Sequence, residues 1–302
     1  MSFVPSYIAL YESGELKERI EKLMAILKSC TLCPRKCEVN RLEGELGVCQ
    51  AGSTLMISSA FPHFGEEPPL VGQNGSGTIF LTHCNLRCVF CQNYDISHLG
   101  DGAKSSPEEM AKYMVALQNR GCHNINFVTP THFVPQIVSA LPKAIEMGLR
   151  IPLVYNCGGY ESIKVIKLLE NIFDIYMPDA KFADSENAKK YCKAPDYPEV
   201  VKEVLKEMHR QVGVLQINHQ GIAERGVLIR HLVMPEGLAG TEKIMKFIAE
   251  ELSPDSYVNI MIQYYPHYKA SKYPELSRRI TLGEFQDALA IARSFGLCRG
   301  FS

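Results

Sequence analysis

Thr78-Ile79-Phe80-Leu81-Thr82-His83-Cys84-Asn85-Leu86-Arg87-Cys88-Val89-Phe90-Cys91 is the stretch from which the architecture is read. Its first five residues are β-branched and apolar, the composition of a strand, and the run passes directly into three cysteines spaced C-x3-C-x2-C. Three thiols therefore sit just past a strand's carboxyl end. Downstream, short β-branched runs alternate with stretches of helical periodicity. Strands are expected at Gly77–His83, Asn124–Thr129, Ile151–Asn156, Phe173–Met177, Val227–Met234 and Val258–Tyr264. Helices are expected to begin near Ser106, Val134, Glu161, Pro198, Thr241 and Gly283. Ser106-Pro107-Glu108-Glu109 reads as a capped helix start and Thr281-Leu282-Gly283-Glu284 as a capping box. Repeated βα units require right-handed crossovers between parallel strands, and they curl into a barrel or a doubly wound sheet; periodicity alone leaves both open. In either arrangement ligands gather at the strands' carboxyl ends, where the cysteines lie.

The composition narrows the setting. A chain of 302 residues with 46% hydrophobic content buries a substantial core, as one large α/β domain or two ordinary ones. The expected division is a helix and cysteine-rich appendage over residues 1–75 and a barrel over 76–302. The appendage carries a charged helix around Gly14–Lys28 and a turn-rich run from Phe61 to Pro69, and the Phe61–Val71 loop is a candidate wall for a small-molecule pocket. The 32 basic and 33 acidic residues nearly cancel, so no long-range field favours nucleic acid or a membrane surface. The opening residues lack a basic region leading into an apolar stretch, and no later run reaches membrane-spanning length; a cytoplasmic protein is expected. Disulfides are rare there, so clustered members of the eleven cysteines point to metal sites. Cys122, Cys157, Cys192 and Cys298 stand alone and read as small apolar residues.

Cubane iron–sulfur clusters commonly take four cysteines, because soft thiolates suit iron. Cys84, Cys88 and Cys91 supply three, which leaves one iron an open position for the amino and carboxylate groups of a small molecule such as S-adenosylmethionine (SAM). One electron passed to the sulfonium would break a carbon–sulfur bond and yield a deoxyadenosyl radical, with the protein supplying position and exclusion of water. The competing reading is a zinc knuckle that borrows His83 or Cys49, although structural zinc prefers two close cysteine pairs.

The C-x3-C-x2-C spacing, the aromatic Phe90 before the last cysteine and the place after the first barrel strand resemble the radical SAM superfamily. Within it the chain is similar to relatives of the pyruvate formate-lyase activating enzyme, in the longer branch with a cysteine-rich amino terminus. The resemblance spans nearly the whole chain and rests on CTLCPRKCEVNRLEGELGVC at Cys30–Cys49, GTIFLTHCNLRCVFCQNYDIS at Gly77–Ser97, NFVTPTHF at Asn126–Phe133 and IRHLVMPEG at Ile229–Gly237. It implies a partial (β/α)6 TIM-like barrel, a [4Fe–4S] cluster on Cys84, Cys88 and Cys91, and SAM across the strand ends. It also implies an activase-like oxidoreductase, an electron donor such as flavodoxin or ferredoxin, and a glycyl radical protein as target.

In such relatives a Gly-Gly-Glu-Pro-like segment after the second strand meets the methionyl amine. Here Thr129-Pro130-Thr131-His132 stands in that place without the acid, so backbone carbonyls or the Thr129 and Thr131 hydroxyls would accept the ammonium hydrogens. Asn156 ends the third strand before Cys157-Gly158-Gly159, and reads either as a SAM contact or as a side chain satisfying the turn. Asp179 and Lys181 occupy alternate positions of an extended segment and point one way. A similar pair in activase relatives implies a hold on the ribose hydroxyls and methionyl carboxylate; the alternative is a surface ion pair. Arg230 and His231 are neighbours on the fifth strand, so only one faces inward, and Arg230 is favoured as the partner of an anionic group. Gln263 and Tyr264 line the pocket by position, whereas His63, His132 and His267 read as polar core or loop residues.

Cys30-x2-Cys33-x3-Cys37-x11-Cys49 supplies four thiolates, enough to saturate a second metal site with either zinc or an iron–sulfur cluster. Pro34-Arg35, Gly44 and Gly47 look like turn-formers that bend the chain around it. If both cysteine groups were merely structural, the chain would be a non-catalytic iron–sulfur electron carrier or a zinc-stabilised interaction protein. A carrier wants saturated clusters, whereas Cys84–Cys91 offers three ligands.

Overall fold

The computed structural model describes residues 3–301. Its strands are β1 (Leu55–His63), β2 (Ser76–Leu81), β3 (Ala103–Ser105), β4 (Ile125–Val128), β5 (Leu153–Cys157), β6 (Ile175–Pro178), β7 (Gln216–Ile217), β8 (Ala223–Leu232) and β9 (Tyr257–Met261). All six strands expected from the sequence are present as β2, β4, β5, β6, β8 and β9, and they pair in that order, every pair parallel. With their covering helices they make a partial (β/α)6 TIM-like barrel, resolving the choice that periodicity left open.

The helices at Pro107–Asn119, Val134–Glu146, Ile163–Leu168, Tyr197–Val212, Thr241–Phe247 and Leu282–Ser294 match the expected starts. Both capping signals are realised: Ser106 with Glu109, and Thr281 with Glu284, each exchange side chain and backbone hydrogen bonds. A helix at Ser185–Cys192 was not expected; SENAKKYC is too short and polar to show an apolar stripe.

Three antiparallel strands were not expected. β1 pairs along β2, with Phe61 opposite Thr78 and His63 opposite Ser76, so the Phe61–His63 part of the supposed turn-rich run is strand. Ser58, Ser59 and Pro62 mask its pattern. The proline is tolerated because β3 covers only Leu55–Ile57, leaving the other side of Pro62 without a neighbour. β3 and β7 are too short to carry a period.

The Phe61–Val71 segment does not line the thiol-bearing cavity, and its far end turns into the barrel. Pro68–Val71 forms one helical turn, and Leu70 is fully buried inside the barrel against Val154, Ile175, Met177 and Leu228. The Asn124 amide donates to the Leu70 carbonyl at 2.8 Å and fixes its depth. Amino-terminal helices at Ser6–Glu12 and Glu15–Ala25 pack outside the sheet, where the Tyr7 hydroxyl donates to the Ile151 carbonyl at 2.9 Å. Among the described residues no helix is long and apolar enough to cross a membrane.

Candidate active site

β2 ends at Leu81, and the chain turns out of it through His83, whose φ of 66° lies in the left-handed region. The loop that follows is held from two sides. The amides of Arg87 and Val89 donate to the carbonyls of Cys192 and Tyr191 at 3.3 and 2.8 Å, and the Lys269 amide donates to the Val89 carbonyl at 2.9 Å. This presents Cys84, Cys88 and Cys91 to one cavity of about 230 Å³ at the carboxyl ends of the parallel strands. Thr129 just after β4, Asn156 near the end of β5, Asp179 and Lys181 just after β6 and Arg230 near the end of β8 line the same cavity, with Gln263 and Tyr264 beyond β9. A larger cavity of about 400 Å³, between Asp184, Thr241 and Glu284, contains no thiol.

The polar wall is one linked array. Arg230 Nε donates to Asp179 Oδ1 at 2.8 Å, Lys181 Nζ to Asp179 Oδ2 at 2.5 Å, and Arg230 Nη2 to Asn156 Oδ1 at 2.8 Å. Burial alone would push the Asp179 carboxyl up, but the Arg230 and Lys181 charges outweigh it and hold it below the usual carboxylate range. Burial would likewise lower Lys181, and Asp179 and Cys88 outweigh that to raise it. Thr129 adopts a left-handed φ of 60°, and its amide donates to the Asn156 carbonyl at 2.8 Å. Burial pushes the Cys84 and Cys91 thiols up, while Cys88 is drawn down by its hydrogen bond with Cys192.

The donor set fits an iron–sulfur cubane with one open iron: three soft thiols of one loop face a roomy cavity whose opposite wall is charged. Among the described residues no three His, Cys, Asp or Glu groups crowd one point as ligands of a single ion do. Residues 78–248 match the model of the radical SAM superfamily. The chain belongs to the radical SAM superfamily. That family implies a [4Fe–4S] cluster and SAM. Two proteins of Methanocaldococcus jannaschii are similar along most of their length. Uncharacterized protein MJ0674 is 36% identical over 289 residues, covering 92% of this chain and 78% of its own. Uncharacterized protein MJ0808 is 23% identical over 291 residues, covering 87% and 80%. A solved structure of TYW1 with a lysine-pyruvate adduct bound aligns over 72% of each chain at 12% identity, with a TM-score of 0.43.

In this radical SAM chain neither His83 nor Cys49, the residues a zinc knuckle would borrow, lines the cavity of Cys84, Cys88 and Cys91. His83 Nδ1 lies 2.7 Å from the Thr82 hydroxyl, and Cys49 lines a separate void with the other amino-terminal cysteines. His231 is buried behind β8 between the Ala180 carbonyl and the Thr241 hydroxyl, leaving Arg230 as the inward residue. Thr131 does not reach the cavity: its hydroxyl donates to Glu161 Oε1 at 2.8 Å. Two neighbours of the site escaped sequence reasoning. Cys192, expected to be an inert core residue, places its sulfur 3.2 Å from Cys88 Sγ, though it does not line the cavity. Glu66 approaches Arg230 Nη1 at 3.8 Å from below. Neither is close in sequence to its partner, so no local spacing announces them.

Glu161 carries a pH prediction. Its oxygens accept from the Thr131 and Tyr155 hydroxyls at 2.8 and 2.9 Å, yet burial pushes its carboxyl up to about 7. Because the folded value lies above the unfolded one, the acid's contribution is fully present below about pH 4.5 and is lost as pH rises through about 7. Glu161→Gln should therefore raise stability at pH 8 by roughly 1–3 kcal/mol, with the gain shrinking toward pH 5. Urea denaturation at the two pH values measures this, and an equal effect at both would refute it.

Proposed function

We propose that Cys84, Cys88 and Cys91 ligate three irons of the [4Fe–4S] cluster and that Thr129, Asn156, Asp179, Lys181 and Arg230 bind SAM for hydrogen-atom abstraction. One observation supports this above the others: three thiols from a single loop and five polar residues from four strand ends line one cavity. Held by these three cysteines, the cluster would supply the one-electron reduction of the SAM sulfonium, whose cleavage to methionine would provide the radical for hydrogen-atom abstraction. The electron comes from a one-electron donor of the flavodoxin or ferredoxin class.

The chain's own residues do the positioning. Asp179, kept ionised by Arg230 and Lys181, offers carboxylate oxygens to the ribose hydroxyls, and Lys181 presents its ammonium to the methionyl carboxylate. The left-handed turn at Thr129 offers its backbone carbonyl and hydroxyl to the methionyl ammonium in place of an acid. Leu81, Phe90, Leu232 and Met261 supply apolar wall that excludes water. In this reading residues 76–302 carry the chemistry and residues 1–75 frame it.

Anaerobic reconstitution followed by dithionite and SAM should yield 5′-deoxyadenosine and methionine in equal amounts. A cluster-loaded protein that leaves SAM intact would overturn the reading. The activase resemblance makes a glycine of a partner protein the hydrogen donor. A glycyl radical partner added to the same mixture should gain the EPR doublet of a carbon-centred glycyl radical, and its absence would remove that part alone.

A further inference from the structure

We propose that Cys30, Cys33, Cys37 and Cys49 hold a second, fully ligated [4Fe–4S] cluster, seated against the loop that carries Cys84, Cys88 and Cys91. The proposal does not depend on SAM binding at the first site.

All four cysteines line one void, which Arg35, Arg41, His132 and apolar neighbours complete. None of the four is in a disulfide. The chain wraps tightly to bring them there. The Cys30 amide donates to the Val39 carbonyl and the Glu38 amide to the Cys30 carbonyl, both at 3.0 Å. Lys36, Glu38 and Gln50 adopt left-handed φ values of 42°, 56° and 62°, which non-glycine residues adopt only where the surroundings impose them. Backbone N–H groups face the sulfurs: Val48 donates to Cys37 Sγ at 3.4 Å, and the amides of Arg35 and Ala51 face Cys33 and Cys49. Gly47 passes so close that a Cβ there would lie 2.8 Å from Cys37 Sγ.

The spacing of the sulfurs selects the kind of metal. Tetrahedral zinc draws its four sulfurs to within ~2.3 Å of one point. The four cysteines of the tetrad line a void, as Cys84, Cys88 and Cys91 line the cavity where the family implies a [4Fe–4S] cluster. Both groups surround a space instead, as a polynuclear cluster requires. Four thiolates saturate the irons of a cubane, so this second cluster has no open position and cannot take SAM.

Arg35 fixes where it sits. Two residues beyond Cys33, its Nε donates to the carbonyl of Asn85, the residue after Cys84, at 3.1 Å. Its Nη2 donates to the Cys192 carbonyl at 3.1 Å, the same carbonyl that receives the Arg87 amide. Arg41 Nη1 donates to the His132 carbonyl at 2.7 Å, and His132 Nε2 bonds the Thr82 carbonyl at 2.7 Å, tying the tetrad to the end of β2. The two cysteine groups thus share one hydrogen-bonded frame.

The test is a chain with Cys84→Ala, Cys88→Ala and Cys91→Ala together, reconstituted anaerobically with iron and sulfide and supplied with zinc in parallel. It should retain about four irons and four sulfides per chain, with a reduced EPR signal that SAM does not alter. Retention of one zinc in preference to iron, or of no metal, overturns the proposal. Should that variant fail to fold, the intact protein gives the same answer: about eight irons and two reduced EPR signals, of which SAM shifts one. About four irons and a single SAM-sensitive signal overturns it. Failure of SAM cleavage in the intact protein, with iron still held by the triple variant, counts against the first site alone.

Discussion

A Cys88→Ala protein, reconstituted anaerobically, should form 5′-deoxyadenosine from SAM at less than about a thousandth of the parent rate, a barrier increase of at least ~4 kcal/mol. Two thiols remain, too few to hold the irons of the cluster. The loop itself should keep its shape, because it is anchored through backbone groups of Arg87 and Val89 on Cys192 and Tyr191, none of which uses the Cys88 sulfur. The informative companion is Cys192→Ala. Its sulfur touches Cys88 yet lies outside the cavity, so its removal should leave SAM cleavage within about threefold, a change of under ~1 kcal/mol. If Cys192→Ala were as damaging as Cys88→Ala, Cys192 would be a fourth ligand, and no iron would be free to take SAM.

Asp179→Asn should weaken SAM binding by about 10- to 100-fold, since a charge-assisted hydrogen bond contributes roughly 1.5–3 kcal/mol. The substitution keeps the shape of the side chain and removes only its charge. It also leaves the Arg230 and Lys181 cations, now hydrogen-bonded to Asp179 at 2.8 and 2.5 Å, facing each other without an intervening anion. Removing one partner of a buried ion pair costs about 3–5 kcal/mol, so the thermal midpoint should fall as well. Equilibrium binding of SAM to the cluster-loaded variant, set beside its melting curve, separates the two effects. Unchanged affinity in a folded, cluster-loaded variant would place SAM elsewhere.

The parallel strands were legible because most of their residues are β-branched or apolar, and Ile125–Val128 and Leu153–Cys157 are buried almost throughout. The cavity wall was legible for a related reason: parallel strands end at one rim, so Asn156, Asp179 and Arg230 converge whatever the intervening helices do. The edge of the sheet was not legible. β1 owes its strand character to pairing with β2 rather than to its own LMISSAFPH sequence, which lacks alternation. Cys192 and Glu66 were equally hidden, because one arrives from the end of a polar helix and the other from the segment that turns back into the barrel. Strand alternation sent only one of Arg230 and His231 inward, and the need of a buried charge for an anionic partner favoured Arg230, which faces Asp179.

Leu70 has a bearing on the room available. Among the described residues that side chain and its anchoring amide fill the inside of the barrel at the end away from the rim where the thiols sit. The depth of the pocket is thereby bounded from the opposite end by a leucine that lines neither the thiol loop nor the charged wall.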